Sequence, residues 1–492
     1  MVAQKILRPE QCVVLDGKPC SACTEDIELE KEITELENKI QKINIRRRAL
    51  RTAMNENHDP LIHKFPPEIA SHIFIQYSPP PSTFFKELNT NNPLYLGAVC
   101  QKWRQLAWAT PDLWTSLSII PNAKYNSIDR PALVNEWLER SASLPLTIRL
   151  EDRWGWVDND DKMINILNKY SARWHDLQLN LPARHLHRFS GSSQRNILGQ
   201  LVLCHHPHTP ARSDFSTFSM KSKPSPIVLA LRTVGLSHVN IGWNNLAKAW
   251  VAGIGVDECF ELIRRAPLLE ILKLQSINPS SSVFSIPNTR IVHRHLHCLE
   301  LSKIRKGVLV LLLDLLHLPS LKQWIHDLSP FPLENMIAFI GRLSPCLQIF
   351  KINIDNIAYH QVTGLLSHLP SLKSLELLAI EKILEDEFFS LLCACAQSPR
   401  YLPDLQSLEF TCELYFPWKS LPQIFALPRW QSLRVRVKSL LELAVDDKDI
   451  ELLLELGDNG FDFCVIKDGK DWLQEYMKRQ ELDICETSPG TG

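Results

Sequence analysis

The sequence lacks the short motifs by which common enzyme classes are recognised. It has no glycine-rich phosphate loop, no Gly-x-Ser-x-Gly elbow and no His-Glu-x-x-His zinc motif. Net charge is almost absent as well, because 54 Lys and Arg stand against 55 Asp and Glu. No global field therefore recruits nucleic acid or an anionic membrane. We expect a protein that works by binding, without enzymatic activity and without a cofactor.

Secretory and membrane-spanning signals are missing too. The N-terminus has no apolar signal-peptide core. The longest apolar run, 308–318, contains Asp314 and is too short to span a bilayer. The 13 cysteines are an odd number scattered over the chain, which is typical of reduced thiols rather than of a disulfide framework. We therefore expect an intracellular protein, cytoplasmic and/or nuclear.

Three groups of cysteines and histidines have residue types that can bind a metal ion. They are Cys12, Cys20 and Cys23; Cys204-His205-His206-x-His208; and His293-x-His295-x-His297. In an extended segment the last three imidazoles would share one face. However, a zinc site needs four tetrahedral ligands, and neither a second ligand pair nor a supporting carboxylate is evident. Free thiols and surface or turn histidines are the favoured interpretation, so no metal site is expected.

A helical pattern begins at Thr24, which is suited to cap a helix whose first turn contains Glu25 and Asp26. Apolar residues then recur at steps of four and three, as in the a/d seam of a coiled coil. The seam consists of Leu29, Ile33, Leu36, Ile40, Ile43, Arg47, Leu50 and Met54. Two interpretations have equal weight: a coiled coil that forms a homodimer through residues 29–54, or one helix folded back on its own chain.

Two short amphipathic helices are predicted after a break at Asp59-Pro60. Pro66 and Pro67 suit the first turn of a helix. Ile69, Ile73 and Phe74 then form an apolar stripe. The second helix has the same character and contributes Val99, Cys100, Trp103, Leu106 and Ala107. Helices this short cannot bury their stripes on each other alone, so they need the rest of the chain or a partner.

These residues resemble the F-box, and most closely the F-box proteins expanded in fungi. The matching stretches are Pro66-Pro67-Glu68-Ile69 with Ile73-Phe74, Val99-Cys100-x-x-Trp103-Arg104-x-Leu106-Ala107, and Pro111-x-Leu113-Trp114. Phe65 replaces the usual Leu, and a Pro/Asn/Thr-rich segment, 78–93, is longer than the usual link. The resemblance implies that the module docks on a Skp-type adaptor and thereby joins a cullin–RING ubiquitin ligase. The implied adaptor surface consists of Pro66, Pro67, Ile69, Ile73, Phe74, Val99, Cys100, Trp103 and Leu106.

Beyond residue 114 an apolar-x-x-apolar-x-apolar unit recurs. Its copies begin at Trp114, Leu146, Trp174, Leu198, Leu231, Leu269, Leu296, Leu321, Leu347, Leu372, Leu405 and Trp430. From Leu269 onward most steps are about 25 to 27 residues, which is within the leucine-rich-repeat range. Helix-spaced apolar stripes, often followed by a proline, separate the units. The pattern predicts a right-handed α/β solenoid. The F-box resemblance implies the same, since such proteins often bind substrate through leucine-rich repeats.

One residue in each unit is predicted to face outward from the concave sheet face. This row reads Gln178, Val202, Gly235, Lys273, Glu300, Ile325, Lys351, Glu376, Glu409 and Arg434. We expect substrate contacts from its charged members, Lys273, Glu300, Lys351, Glu376, Glu409 and Arg434.

The predicted chain is therefore α/β. It has a disordered tail (1–23), a short coiled-coil helix (24–57), an all-α F-box (61–114), a leucine-rich-repeat-like solenoid (115–466), and a C-terminal helix and tail (467–492). We expect the substrate-recognition subunit of a Skp–cullin–F-box E3 ubiquitin ligase, with an unknown protein substrate. The alternative is a non-ligase interaction scaffold that uses the coiled coil and solenoid. Neither nucleic acid nor a membrane is an expected partner.

Overall fold

The computed structural model describes residues 18–58, 61, 64–77, 92–119, 130–151, 161–205, 216–343, 346–413, 416–439, 445, 447–467 and 469–478. It is a mixed α/β structure with a long N-terminal helix and a large, mostly parallel sheet, so the predicted α/β class is confirmed. The chain forms two compact units. The first comprises 1–116 with 136–144, and the second 117–135 with 145–492.

The elements alternate between helix and strand along most of the chain. The helices are α1 (Ser21–His58), α2 (Pro67–Tyr77), α3 (Pro93–Val99), α4 (Gln101–Trp108), α5 (Arg130–Arg140), α6 (Asp161–Lys169), α7 (Val256–Arg265), α8 (Lys306–Leu315), α9 (Leu333–Arg342), α10 (Tyr359–Leu366), α11 (Asp386–Ala396), α12 (Leu421–Phe425) and α13 (Asp447–Asp458). The strands are β1 (Ser116–Ile119), β2 (Leu146–Glu151), β3 (Trp174–Asn180), β4 (Gln200–Cys204), β5 (Phe218–Ser219), β6 (Val228–Arg232), β7 (Val239–Asn240), β8 (Lys248–Ala252), β9 (Ile271–Gln275), β10 (Ile291–Val292), β11 (Cys298–Ser302), β12 (Leu316–His317), β13 (Gln323–Asp327), β14 (Ile349–Asn353), β15 (Ser374–Ala379), β16 (Ser407–Cys412), β17 (Arg434–Ser439), β18 (Phe463–Lys467) and β19 (Lys470–Asp471).

Helix α1 starts earlier than predicted. The N–H of Thr24 donates to the Cys20 carbonyl at 2.9 Å, and its hydroxyl donates to the same oxygen at 3.1 Å. Thr24 therefore lies inside the first turn and is not the cap. The helix ends at His58, at the predicted break before Pro60. All seven apolar seam residues are 49–63% exposed, so none of the segments that the structure describes covers the seam.

The N-terminal unit has its own aromatic interior. Helix α2 packs against α4, with the rings of Phe74 and Trp103 4.8 Å apart. The indole N–H of Trp114 donates to the Ala107 carbonyl at 2.8 Å, which satisfies the polar atom of a completely buried ring. Trp137 packs edge-on against Trp114 at 4.9 Å. The module thus closes around side chains from α2, α4 and the chain on either side of β1.

Among the described residues, fifteen strands form one sheet, and they occur in it in the order of the chain. Two short pairs, β5 with β7 and β10 with β12, lie apart from it. From β2 to β18 neighbouring strands of the large sheet run parallel, and β19 pairs antiparallel with β18. Along β2, β9 and β13 buried residues alternate with half-buried ones, so one face packs on the interior and the other faces outward.

Three details of the predicted strand row are wrong. The spacing at Leu231-Val234-Leu236 is not a strand, because β6 ends at Arg232 and the chain then turns. Gly235 is therefore not on the sheet. Strand β8 was not predicted at all. Finally, Arg434 lies opposite Ser407, whereas the residue opposite Glu409 is Arg436.

The turn after several strands uses a left-handed residue. Thr233, Gly253, Ser276, Lys303 and Leu328 directly follow β6, β8, β9, β11 and β13, and their φ values lie between 44° and 73°. The amide of each of the first four donates to the last carbonyl of the next strand in the sheet, at 2.8 to 3.2 Å. These bonds extend the ladder by one residue while the backbone turns away. Only one of the five residues is a glycine, although glycine adopts this conformation at least cost.

Candidate interaction surfaces

Helix α2 presents an apolar ridge that its own unit does not cover. The ridge consists of Phe65, Ile69 and Ile73, spaced by four residues and therefore on one side of the chain. Ile69 is 48% exposed and Ile73 43%. The opposite side of α2 supplies the interior through Ala70 and Phe74, each 1% exposed. The unit thus has a complete core without the two isoleucines.

The other residues predicted for the adaptor surface fall into three groups. Pro66, Pro67 and Val99 are exposed. Cys100, Trp103 and Leu106 are half-buried, and the Cys100 sulfur caps α4 by accepting the Trp103 N–H at 3.4 Å. The prediction that Phe74 lies on this surface is wrong, because its ring is buried against Trp103 in the interior of the unit. A helix turns 100° per residue, so Ile73 and Phe74 cannot face the same way.

Val99 and Cys100 line a shallow groove of about 470 Å³ within the N-terminal unit. Its charged lining residues are all basic, namely Arg48 and Arg51 of α1 and Lys102 and Arg104 of α4. The Arg104 side chain also donates to the Gly97 carbonyl at 2.8 Å. These two predicted adaptor residues therefore lie beside positive charge, whereas Ile69 and Ile73 are not part of the groove.

The outward face of the sheet has a central row set by strand register. Its members lie opposite one another on successive strands. In order they are Gln178, Val202, Ala230, Trp250, Lys273, Glu300, Ile325, Lys351, Glu376, Glu409 and Arg436. Five of the six residues predicted for substrate contact are in this row. The sixth, Arg434, lies two residues away on the same face.

Most charges on this face are already paired with a neighbouring strand. Lys273 contacts Glu300 at 2.7 Å, and Lys351 contacts Glu376 at 2.5 Å. Lys438 pairs with Glu409. Arg434 pairs with Asp462 at 2.9 Å. The face therefore presents side chains held by ion pairs rather than one charged patch.

Sequence reasoning missed at least four residues of this face: Ala230, Trp250, Arg436 and Asp176. Trp250 and Arg436 belong to the central row, and the Lys273 ammonium lies 5.5 Å from the Trp250 ring centre. Asp176 on β3 accepts from the Gln200 amide at 2.8 Å. Burial raises the pKa of Asp176 to about 6, against the hydrogen bonds from Gln178 and Gln200. Alternation in Lys248-Ala-Trp-Val-Ala was the available signal for Trp250.

The histidine groups do not converge. Within the described ranges, no group of three or more His, Cys, Asp or Glu side chains could hold a metal ion. His293 is buried and contacts the Ala266 carbonyl at 3.0 Å, and its ring centre is 6.5 Å from that of His295. His206 and His208 lie outside the described residues, as does Cys12. Cys20 and Cys23 lie near the start of α1, with their sulfurs 3.6 Å apart.

Two buried carboxylates, Asp257 and Glu258, accept hydrogen bonds from backbone N–H groups. Asp257, fully buried at the start of α7, accepts bonds from the N–H groups of Ser281, Val283 and Phe284 at 2.7 to 3.1 Å. Burial alone would raise the pKa of Asp257, but these donors hold it below its ordinary value. Glu258 similarly accepts the N–H groups of Leu236 and Gly255. Both carboxylates fix loops, which explains their burial without a catalytic role.

Comparison of the chain with protein-family models and with curated proteins finds no match in either case. Among the described residues, no helix has the length and apolar character needed to cross a membrane.

Proposed function

We propose that the protein is the substrate-recognition subunit of a Skp–cullin–F-box type E3 ubiquitin ligase. In this proposal residues 61–114 are an F-box that docks a Skp-type adaptor. Residues 115–466 form a leucine-rich-repeat-like solenoid whose outward sheet face binds a protein substrate. The chain carries out no bond chemistry and raises the effective concentration of substrate near the ligase.

The observation that carries the proposal is the exposed ridge of α2. Large apolar side chains that remain exposed, although the core of the unit is formed without them, are typical of partner sites. Ile69 and Ile73 fit this description, and both belong to the stretch on which the F-box resemblance rests. Sequential strand order and one shared register across the large sheet support the solenoid.

The test is co-purification of the full chain with a Skp-type adaptor. We expect a stoichiometric complex with the wild-type chain and at least a tenfold weaker one with Ile73→Asp, because the charge must be buried without a partner. Leu268→Asp is the matched control, since Leu268 is 48% exposed, close to the 43% of Ile73, but lies in the second unit. Trp103→Ala is less informative, because Trp103 packs on Phe74.

The alternative is a non-ligase scaffold in which the same surfaces serve another assembly. A folded wild-type chain that forms no complex with the adaptor would refute the ligase proposal and favour this scaffold. Equal adaptor binding by Ile73→Asp and wild type would show that the ridge is not the docking surface.

A further inference from the structure

Helix α1 combines an exposed apolar seam with an uneven charge distribution. Its seam residues lie 49–63% exposed along a helix of 38 residues. Between residues 25 and 37 there are seven acidic side chains and one lysine, a net charge of −6. Between 39 and 51 there are two lysines, four arginines and no acid, a net charge of +6. Acids near the start and bases near the end suit the helix dipole, but the dipole does not account for the seam.

We propose that α1 forms an antiparallel two-stranded coiled coil with α1 of a second copy of this chain. Four layers match the seam completely. Leu29 faces Met54 of the second copy, Ile33 faces Leu50, Leu36 faces Arg47, and Ile40 faces Ile43. Each layer occurs twice by symmetry, so all eight seam positions are used and none is left over. The interface is independent of the adaptor proposal, because it uses neither the ridge of α2 nor the sheet.

Charge decides the orientation. An antiparallel pair places the acidic half of one helix along the basic half of the other, whereas an in-register parallel pair sets acid against acid and base against base. At the positions flanking the seam, the antiparallel coil sets Glu30 against Arg51 of the second copy and makes one like-charge contact, Lys39 with Arg46. In the parallel coil Glu32 meets Glu37, and Arg46 meets Arg51. Like charges in contact destabilise such pairs.

Arg47 gives a second reason for the same orientation. In a parallel pair the two Arg47 side chains would face each other within the seam. In the antiparallel pair Arg47 faces Leu36, which has Glu35 and Glu37 as its chain neighbours. The aliphatic stem of Arg47 can then cover Leu36 while its guanidinium reaches those carboxylates.

The area is sufficient for a stable dimer. Burial of about 80 Å² from each of the fourteen apolar seam side chains removes roughly 1,100 Å² from water. This exceeds the about 1,000 Å² expected of a specific interface. Isolated helices gain little from propensity alone, so the partner also explains how a helix with an uncovered seam persists over this length.

The first experiment is sedimentation equilibrium of the full chain over a concentration series. We expect a reversible monomer–dimer equilibrium based on a 56.4 kDa monomer. Ile40→Asp is expected to abolish the dimer. Ile45→Asp, equally exposed at 60% but off the seam, is the matched control and is expected to preserve it. A wild-type chain that stays monomeric throughout, or a dimer that survives Ile40→Asp, would overturn the proposal.

The second experiment tests orientation with charge reversals. Glu30→Arg and Arg51→Glu are each expected to weaken dimerisation about tenfold, because two symmetric contacts become repulsive, and the double variant is expected to restore it. Glu28→Arg, the same charge change at a position that is neither in the seam nor beside Arg47 of the second copy, controls for net charge. In a parallel coil each single reversal would strengthen the dimer, and that outcome would refute the antiparallel arrangement.

Discussion

At the scale of residues, one buried histidine, His326, is expected to make the stability of the fold depend on pH. His326 occupies, on β13, the position held by Leu301 and Ile352 on the neighbouring strands. It is completely buried, and one ring nitrogen contacts the Pro330 carbonyl at 3.1 Å. The other ring nitrogen has no hydrogen-bond partner. Burial lowers the pKa of His326 to about 4, against the contact with the Pro330 carbonyl, which favours the charged form. The folded state therefore holds this imidazole neutral.

The sign of the resulting pH dependence follows from linkage. Above pH 6.5 the imidazole is neutral whether the chain is folded or unfolded, and its ionisation costs no stability. As pH falls from 6.5 towards 4 only the unfolded chain takes up the proton, so the free energy of unfolding declines by roughly 3 kcal/mol. We expect His326→Leu to remove this decline. Urea unfolding at pH 5 and pH 7.5 measures the effect, with the same substitution at the exposed His360 as control. An unchanged decline in His326→Leu would assign the acid sensitivity to other groups.

At the scale of elements, the turn after each strand stores strain that substitutions can release. Leu328 follows β13 with φ of 44°, and its side chain is exposed. Leu328→Gly therefore loses little packing and is expected to raise the free energy of unfolding by up to about 1 kcal/mol.

The equivalent position after β8 provides the opposite test. At Gly253 an added Cβ would lie 2.8 Å from the Thr233 side chain, at a φ of 73°. Gly253→Ala is expected to lower the free energy of unfolding by more than 1 kcal/mol. Urea unfolding of both variants checks the pair. Destabilisation by Leu328→Gly would mean that the leucine side chain contributes more than the strain costs.

How far sequence predicts these elements depends on what each pattern encodes. Period-two leucines located β9, β11 and β15 well, because only one face of those strands is buried. Strand β8 has no leucine and was missed. The predicted position of the last repeat unit lies two residues before its position in the structure. Trp430 and Leu433 have the spacing of the first two apolar positions of a unit, but β17 begins only at Arg434.

The N-terminal unit illustrates a second limit. The apolar pattern of α2 placed Ile69, Ile73 and Phe74 in one stripe, but the unit buries Ala70 and Phe74 and leaves the isoleucines outside. Trp103 and Trp137 select that face through contacts with Phe74 and Trp114. Such long-range contacts leave no trace in local periodicity. By contrast, the period of apolar residues in α1 predicted the helix itself, because helical spacing depends only on residues within the same segment.

At the scale of the whole molecule, the C-terminal edge of the sheet is formed by a very short strand that limits pairing with other chains. Strand β19 is only two residues long and runs antiparallel to β18. Short or irregular edge strands limit pairing with other chains. In the part of the chain after β17 that the structure describes, β18 and β19 are the strands that continue the sheet.

Deletion of residues 459–492 would remove both terminal strands and expose β17, whose Val435 and Val437 are fully buried. We expect a lower melting temperature and concentration-dependent aggregation. Deletion of 479–492 is the control, since it removes none of the described elements. Differential scanning calorimetry with light scattering distinguishes the two, and equal behaviour of the deletions would show that β18 and β19 do not protect the sheet.

The in-register pairing of the strands also determines how the outward face can change. Lys273 meets Glu300, and Lys351 meets Glu376, across adjacent strands. Replacing one member leaves its partner unpaired on a half-buried surface, so a single substitution changes the ionic balance of two strands. Remodelling this face for a new ligand would therefore proceed in compensated pairs of substitutions, and directed evolution that samples both members together would reach new specificities more readily than saturation of single sites.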